Sequence, residues 1–208
     1  MNPQFGYNKE EKKLFLKLNS AKKIQDYLNS IPFNFEEKWG TCLSPRWVIK
    51  MKKADCLEGA IFASAVLEFH GHKPLLLDLR SVKRPYDYDH VLAVFKQDGF
   101  FGAISKTNHS VLRYREPVYK SIRELVMSFF HEYFLDNGKK TLREYSDLFD
   151  LSKLKINWRT TEKDLKEIHN QLDKIKHHKI LSPRQIKNLR KADKIEIKAG
   201  KIIEYHKK

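Results

Sequence analysis

A thiol and an imidazole stand where they could act together. Cys56 follows Asp55 at the head of a run of small and apolar residues, Leu57 to Phe69, and His90 opens a second apolar run, His90 to Lys96. Asp55 suits an N-cap and Gly71 a C-terminal stop, so the pattern predicts a buried helix with Cys56 in its first turn. Unpaired N–H groups and the positive end of the helix dipole at that position favour thiolate over thiol, and thiolate is the form that attacks carbonyl carbon. An imidazole at the start of the later run would serve as its base.

Several elements must form to bring the two together. Leu14, Leu16, Leu18, Ile24 and Leu28 lie among lysines and predict one or two amphipathic helices ending near Asn29 to Pro32. Ser44-Pro45 starts a short helix, Arg46 to Met51, that leads to Cys56. Pro74 to Leu79 is an apolar run of strand length, expected to be buried on both faces. Asp98-Gly99 between His90–Lys96 and Phe100–Ser105 is a hairpin signal that puts His90 and the Ser105–Asn108 stretch at one end. The expected fold class is α+β, a helix lying on an antiparallel sheet. Arg123 to Phe134 is expected as a helix with an aromatic core face. Thr161 to Lys176 and Ser182 to Arg190 are expected as helices too, and Lys194 to Tyr205 as a small hairpin. The expected organisation is a domain over residues 1–150, with an N-terminal helical flank, and a basic extension over 151–208 packed on it.

In this order the chain resembles the transglutaminase-like family of the papain-like cysteine-enzyme superfamily. The likeness covers roughly residues 44–108: the approach Ser44 to Asp55, the Cys56 helix, the turn Gly71-His72-Lys73-Pro74, and Asp89-His90 followed by Asp98 to Ser105. The stretches Gly102 to His109 and Tyr114 to Tyr119 look like those of an uncharacterised bacterial branch sharing this core. The resemblance implies Cys56 as nucleophile, His90 as base, no cofactor, and a protein, peptide or small amide as substrate. Ala54 stands where the family often has glycine, and Ser105 where it usually has the aspartate that orients the histidine. Serine accepts a hydrogen bond but brings no charge, and Asn108 nearby is an alternative orienter of the Cys-His-Asn kind. Trp47 and Asp89 are the candidate substrate contacts, although Trp39 and Trp47 read more readily as packing residues than as substrate walls.

Composition bounds the alternatives. The 208 residues are 41% hydrophobic, enough for a core, and Cys42 and Cys56 are the only cysteines. Residues 1–10 lack the apolar run of a secretory signal, so a reducing cytoplasm is expected, with no membrane span. His70, His72, Asp87, Asp89, His90 and His109 have spacings that also occur in metal sites, but no specific motif supports one and no metal is expected. Residues 151–208 hold 17 Lys and Arg against 7 Asp and Glu, a balance of +10 out of the chain's +15. Such a surface can attract an anionic partner, nucleic acid included, but no recognition motif is present, so any such binding is expected to be non-specific.

Overall fold

The computed structural model describes residues 5–35 and 42–206. Two helices lead, α1 Lys9–Lys17 and α2 Ala21–Ser30, each opened by a polar cap, Asn8 and Ser20. Helix α3, Pro45–Met51, is capped by Ser44, with proline in its first turn. Helix α4, Cys56–Phe69, is buried along Leu57 to Leu67, which explains why its sequence carries no polar face. Gly59 in its second turn is required by packing: a Cβ there would lie 2.5 Å from Cβ of Lys106.

The strands are β1 Leu75–Arg80, β2 His90–Gln97, β3 Phe100–Ile104, β4 Arg115–Tyr119, β5 Glu144–Ser146, β6 Phe149–Asp150 and β7 His177–Lys179. They form one antiparallel sheet in the order β4-β3-β2-β1-β5-β7, with β6 also pairing β1. The β2–β3 turn places Asp98 at φ 50° and Gly99 at φ 88°, the paired positive angles that two-residue hairpins require. The fold is therefore mixed α+β with an antiparallel sheet, and β1 lies inside it, buried at Leu76, Leu77 and Leu79.

Alternation along the strands builds two cores. Leu76, Val91, Ala93, Phe95 and Ile104 face α4 and join Phe15, Leu28, Val48, Ile61 and Phe62. Leu77, Leu79, Leu92, Val94 and Ala103 face the other way, onto α5 (Ile122–Met127) and the aromatic residues Phe129, Phe130 and Tyr133. The segment expected as one helix from Arg123 to Phe134 is shorter: α5 ends at Met127 and a 3-10 turn follows over Phe130–Glu132. Ser128 accounts for the break, since its hydroxyl donates back to Leu125 O at 2.6 Å.

The extension belongs to the first core. Leu151, Trp158, Leu165, Ile168 and Leu172 are buried beside α1–α4 residues. Helix α6, Lys166–Lys174, buries Ile168 and Leu172 and leaves Lys166 and Lys174 exposed. Strand β7 is tied to β1 by a buried pair: His177 Nε2 lies 3.0 Å from Asp78 Oδ2, and His177 Nδ1 lies 2.8 Å from Ile175 O. With one ring nitrogen on a carbonyl and the other on a carboxylate, both act as donors and the ring is an imidazolium. Burial is the largest single influence and works against that charge, yet the His177 pKa is raised because the bonds to Asp78 and to the Ile175 carbonyl together outweigh it. The segment beyond α7 (Pro183–Lys187) is not a hairpin. Asp193 and Glu196 form a capping box that starts α8, Lys194–Gly200, and Ile195, whose alternation suggested a strand, is exposed.

Because Trp158 is fully buried and β7 continues the sheet, a chain ending at Asp150 should lose its cooperative thermal transition by circular dichroism. A truncated chain melting at the full-length midpoint would show that the extension is not part of this core.

Candidate active site

The head of α4 is assembled by one carboxylate. Asp55 Oδ1 accepts Glu58 N–H at 2.8 Å while Glu58 Oε2 accepts Asp55 N–H at 2.8 Å, a reciprocal capping box. Glu58 also accepts Leu43 N–H at 3.0 Å and Asn34 Nδ2 at 3.0 and 3.2 Å. Burial and the Asp55 charge push the Glu58 carboxyl up, and these donors oppose that. All its partners donate, so the ionised form is the one the site accommodates. The pattern Asp55-x-x-Glu58 is a signal that was available in the sequence. Ala54 is no obstacle: its backbone is extended against Phe33, so no left-handed residue is needed there.

Cys56 follows this cap as a free cysteine, half-buried as a residue and with its thiol turned into the protein. Burial pushes it up to about 12, the Asp55 charge adds to that, and the nearby N–H groups of Val91 and Leu57 work the other way. Desolvation thus outweighs the helix terminus that was expected to favour thiolate. Val91 lies beyond the last β2–β3 pair, Ala93 with Ile104, where the two strands part. Cys56 therefore meets the sheet at the residue next to His90. No hydrogen bond joins the sulfur to the imidazole among the described residues, and His90 occupies a register position on the Leu92–Val94 face, opposite the one α4 covers.

His90 is buried, and burial pulls its pKa down to about 4. Its Nε2 lies 2.7 Å from Ser105 Oγ. Ser105 Oγ in turn donates to Leu112 O at 2.5 Å, and a carbonyl can only accept. The single hydroxyl proton is thereby used, so Ser105 must accept from His90, whose Nε2 carries the hydrogen. Nδ1 is left with its lone pair and has no protein partner among the described residues. Ser105 is itself held at both backbone atoms: Gln25 Oε1 accepts its N–H at 2.9 Å and Gln25 Nε2 donates to its carbonyl at 2.8 Å.

The remaining sequence candidates lie elsewhere. Asn108 does not orient His90; its side-chain amide clamps the backbone of Tyr205, accepting N–H and donating to the carbonyl, both at 2.9 Å. Trp47 donates from its indole nitrogen to Glu162 O at 3.2 Å and lies under Lys50, so it packs against the extension. Trp39 lies outside the described residues. Asp89 accepts Ser81 N–H at 2.7 Å, which ties the loop preceding His90 to the end of β1; burial raises its pKa. His70 faces Phe15 O and His109 faces Gly200 O. Among the described residues no cluster of three His, Cys, Asp or Glu could hold a metal ion. Two shallow concavities of about 400 and 320 Å³ are lined by Glu11, Arg46 and Glu162 and by Arg113, Ile202 and Glu204, away from Cys56 and His90.

Two predictions follow from these environments. Glu58→Ala leaves three backbone or amide donors buried without an acceptor and should destabilise the fold by roughly 3 kcal/mol in urea denaturation. For His90, the unfolded chain takes up a proton near pH 6.5 that the folded protein refuses until about 4. Its contribution to stability is therefore present above 6.5 and lost as the pH falls through that window, by roughly 3 kcal/mol at most. Wild type should lose this increment between pH 6.5 and 4 relative to His90→Gln, and parallel pH profiles for the two would contradict the assignment.

No helix among the described residues is long and apolar enough to cross a membrane. The sequence matches no protein-family model and no curated protein.

Proposed function

We propose that the chain is a transglutaminase-like thiol enzyme that attacks the amide of a protein, peptide or small molecule and passes the acyl group to water or an amine. The observation that carries this reading is the hydrogen-bond polarity at His90. A neutral imidazole with Nε2–H on Ser105 leaves Nδ1 without a protein partner among the described residues, and His90 directly precedes Val91, the strand residue that meets Cys56. In this reading the thiol proton moves to Nδ1, directly or through one water, as sulfur bonds to the carbonyl carbon. The N–H groups that favour the thiolate are Leu57 and Val91. Collapse of the tetrahedral adduct breaks the C–N bond, His90 returns the proton to the leaving amine, and a thioester remains on Cys56. Water or an amine then takes the acyl group and restores the thiol. No step calls for a cofactor. The order of nucleophile helix α4, strand β1, histidine strand β2 and Ser105 after β3 is that of the transglutaminase-like core, and it supports the finer reading of the fold.

A second reading also has an observation behind it. Burial favours the neutral thiol and the neutral imidazole, and the two are not hydrogen-bonded, which suits a non-catalytic scaffold. The basic extension, with Lys166 and Lys174 exposed, would then recruit an anionic partner by charge.

Alkylation by iodoacetamide separates the two, because only thiolate reacts. The enzyme reading expects Cys56 to react near pH 7 and His90→Ala to slow it at least tenfold. Equal rates in both proteins, with reaction only at strongly alkaline pH, would favour the scaffold. Binding to duplex DNA should be weak, sequence-independent and steeply lost with added salt; tight, salt-insensitive binding would rule out a purely electrostatic role for the extension.

A further inference from the structure

The hydroxyl of Ser105 has one proton, and its destination is decided by residues beyond the site itself. Leu112 has φ 60°, a left-handed backbone rarely adopted by a residue with a side chain. In that conformation its carbonyl accepts from Ser105 Oγ and its N–H donates to Glu132 Oε2 at 2.8 Å. The same oxygen of Glu132 lies 2.7 Å from Arg115 Nη2. Arg115 is fixed in turn: Nε donates to Ser128 Oγ at 3.0 Å, Nη2 to Ser128 O at 3.1 Å, Nη1 to Arg113 O at 3.1 Å, and the guanidinium lies 4.1 Å from the Phe129 ring centroid. The carboxylate is thus aimed from the 3-10 turn onto one backbone N–H.

We propose that Glu132 is a positioning residue for His90: by holding Leu112 in its left-handed conformation it draws the Ser105 proton onto the Leu112 carbonyl and so keeps the imidazole in the Nε2–H form. The inference deepens the enzyme reading, on which the use of Nδ1 as base rests. Without Glu132, Leu112 relaxes to negative φ and its carbonyl turns away. The Ser105 hydroxyl is then free to donate to Nε2, which moves the ring proton to Nδ1 and blocks the base. No charge enters the chain at Ser105. Its directionality comes from a backbone dipole held in place by an ion pair one step away.

The test is the tautomer of His90 in the resting protein, read by two-bond proton–nitrogen correlation spectra of histidine-labelled full-length chain near pH 7.5. Wild type should show only the Nε2–H form. Glu132→Ala and Ser105→Ala should each produce a measurable Nδ1–H population, while Glu132→Gln, which retains an acceptor for Leu112 N–H, and Leu112→Gly, which adopts positive φ freely, should keep the wild-type form. If Glu132→Ala does not fold, Glu132→Met, of similar size and without a carboxyl acceptor, replaces it. Hydrogen exchange at the Leu112 amide reports in parallel whether the contact is lost. A wild-type tautomer in a folded Glu132→Ala or Glu132→Met protein would overturn the proposal, and so would a wild-type tautomer in Ser105→Ala. Because this readout needs no substrate and no alkylation, an unreactive Cys56 would sink the enzyme reading while leaving the positioning role of Glu132 to be judged separately.

Discussion

The buried carboxylate of Glu58 is the contact on which the rest of the arrangement depends. A single charge under the first turn of α4 accepts from the backbone of Asp55 and Leu43 and from the side chain of Asn34. Those partners come from the segment after α2, the segment before α3 and the helix itself. The carboxylate therefore sets where three stretches of chain converge, and it sets the direction in which α4 begins. A charge so placed is stable only while every donor remains, which couples the position of Cys56 to the whole N-terminal layer.

From that point the sheet does the remaining positioning. Helix α4 covers one face and the α5 region the other, and Cys56 reaches the sheet at Val91, where β2 and β3 part. Lys106 reinforces this corner. It is fully buried, donates to Leu28 O and Ile31 O at the end of α2 at 2.8 and 2.6 Å, and packs against Gly59. Burial lowers its pKa to about 8, as expected for an ammonium held by carbonyl dipoles with no carboxylate bonded to it among the described residues. The same corner is closed by Tyr205, whose hydroxyl donates to Asn29 O at 2.8 Å and whose ring lies 5.2 Å from the Lys106 nitrogen.

The electrostatics of the site are set by desolvation more than by the helix terminus. A capped helix start offers partial positive charge to Cys56, but the acidic cap and the low-dielectric surroundings favour the neutral thiol, and burial does the same for His90. Ser105 as the partner of His90 is consistent with that balance, since a neutral acceptor orients the ring without stabilising its charged form.

Much of this was legible in the sequence because it is local. Asp55 as cap, Cys56 in the first turn, the Ser44-Pro45 helix start and the Asp98-Gly99 hairpin follow from residue types that satisfy backbone groups within a few positions. Where one local signal outweighed another, the reading diverged: Lys194–Tyr205 alternates like a strand but caps as a helix, and the Arg123–Phe134 run breaks where Ser128 bonds back to its own turn. The choice between Ser105 and Asn108 lay beyond the sequence altogether. Both side chains accept hydrogen bonds and both follow β3, and only the folded chain brings Leu112 to one and Tyr205 to the other. The residue types and their order were determined by the sequence itself. Which proton points where was decided by the tertiary structure, because the direction of the Ser105 hydroxyl depends on where the folded backbone turns the Leu112 carbonyl.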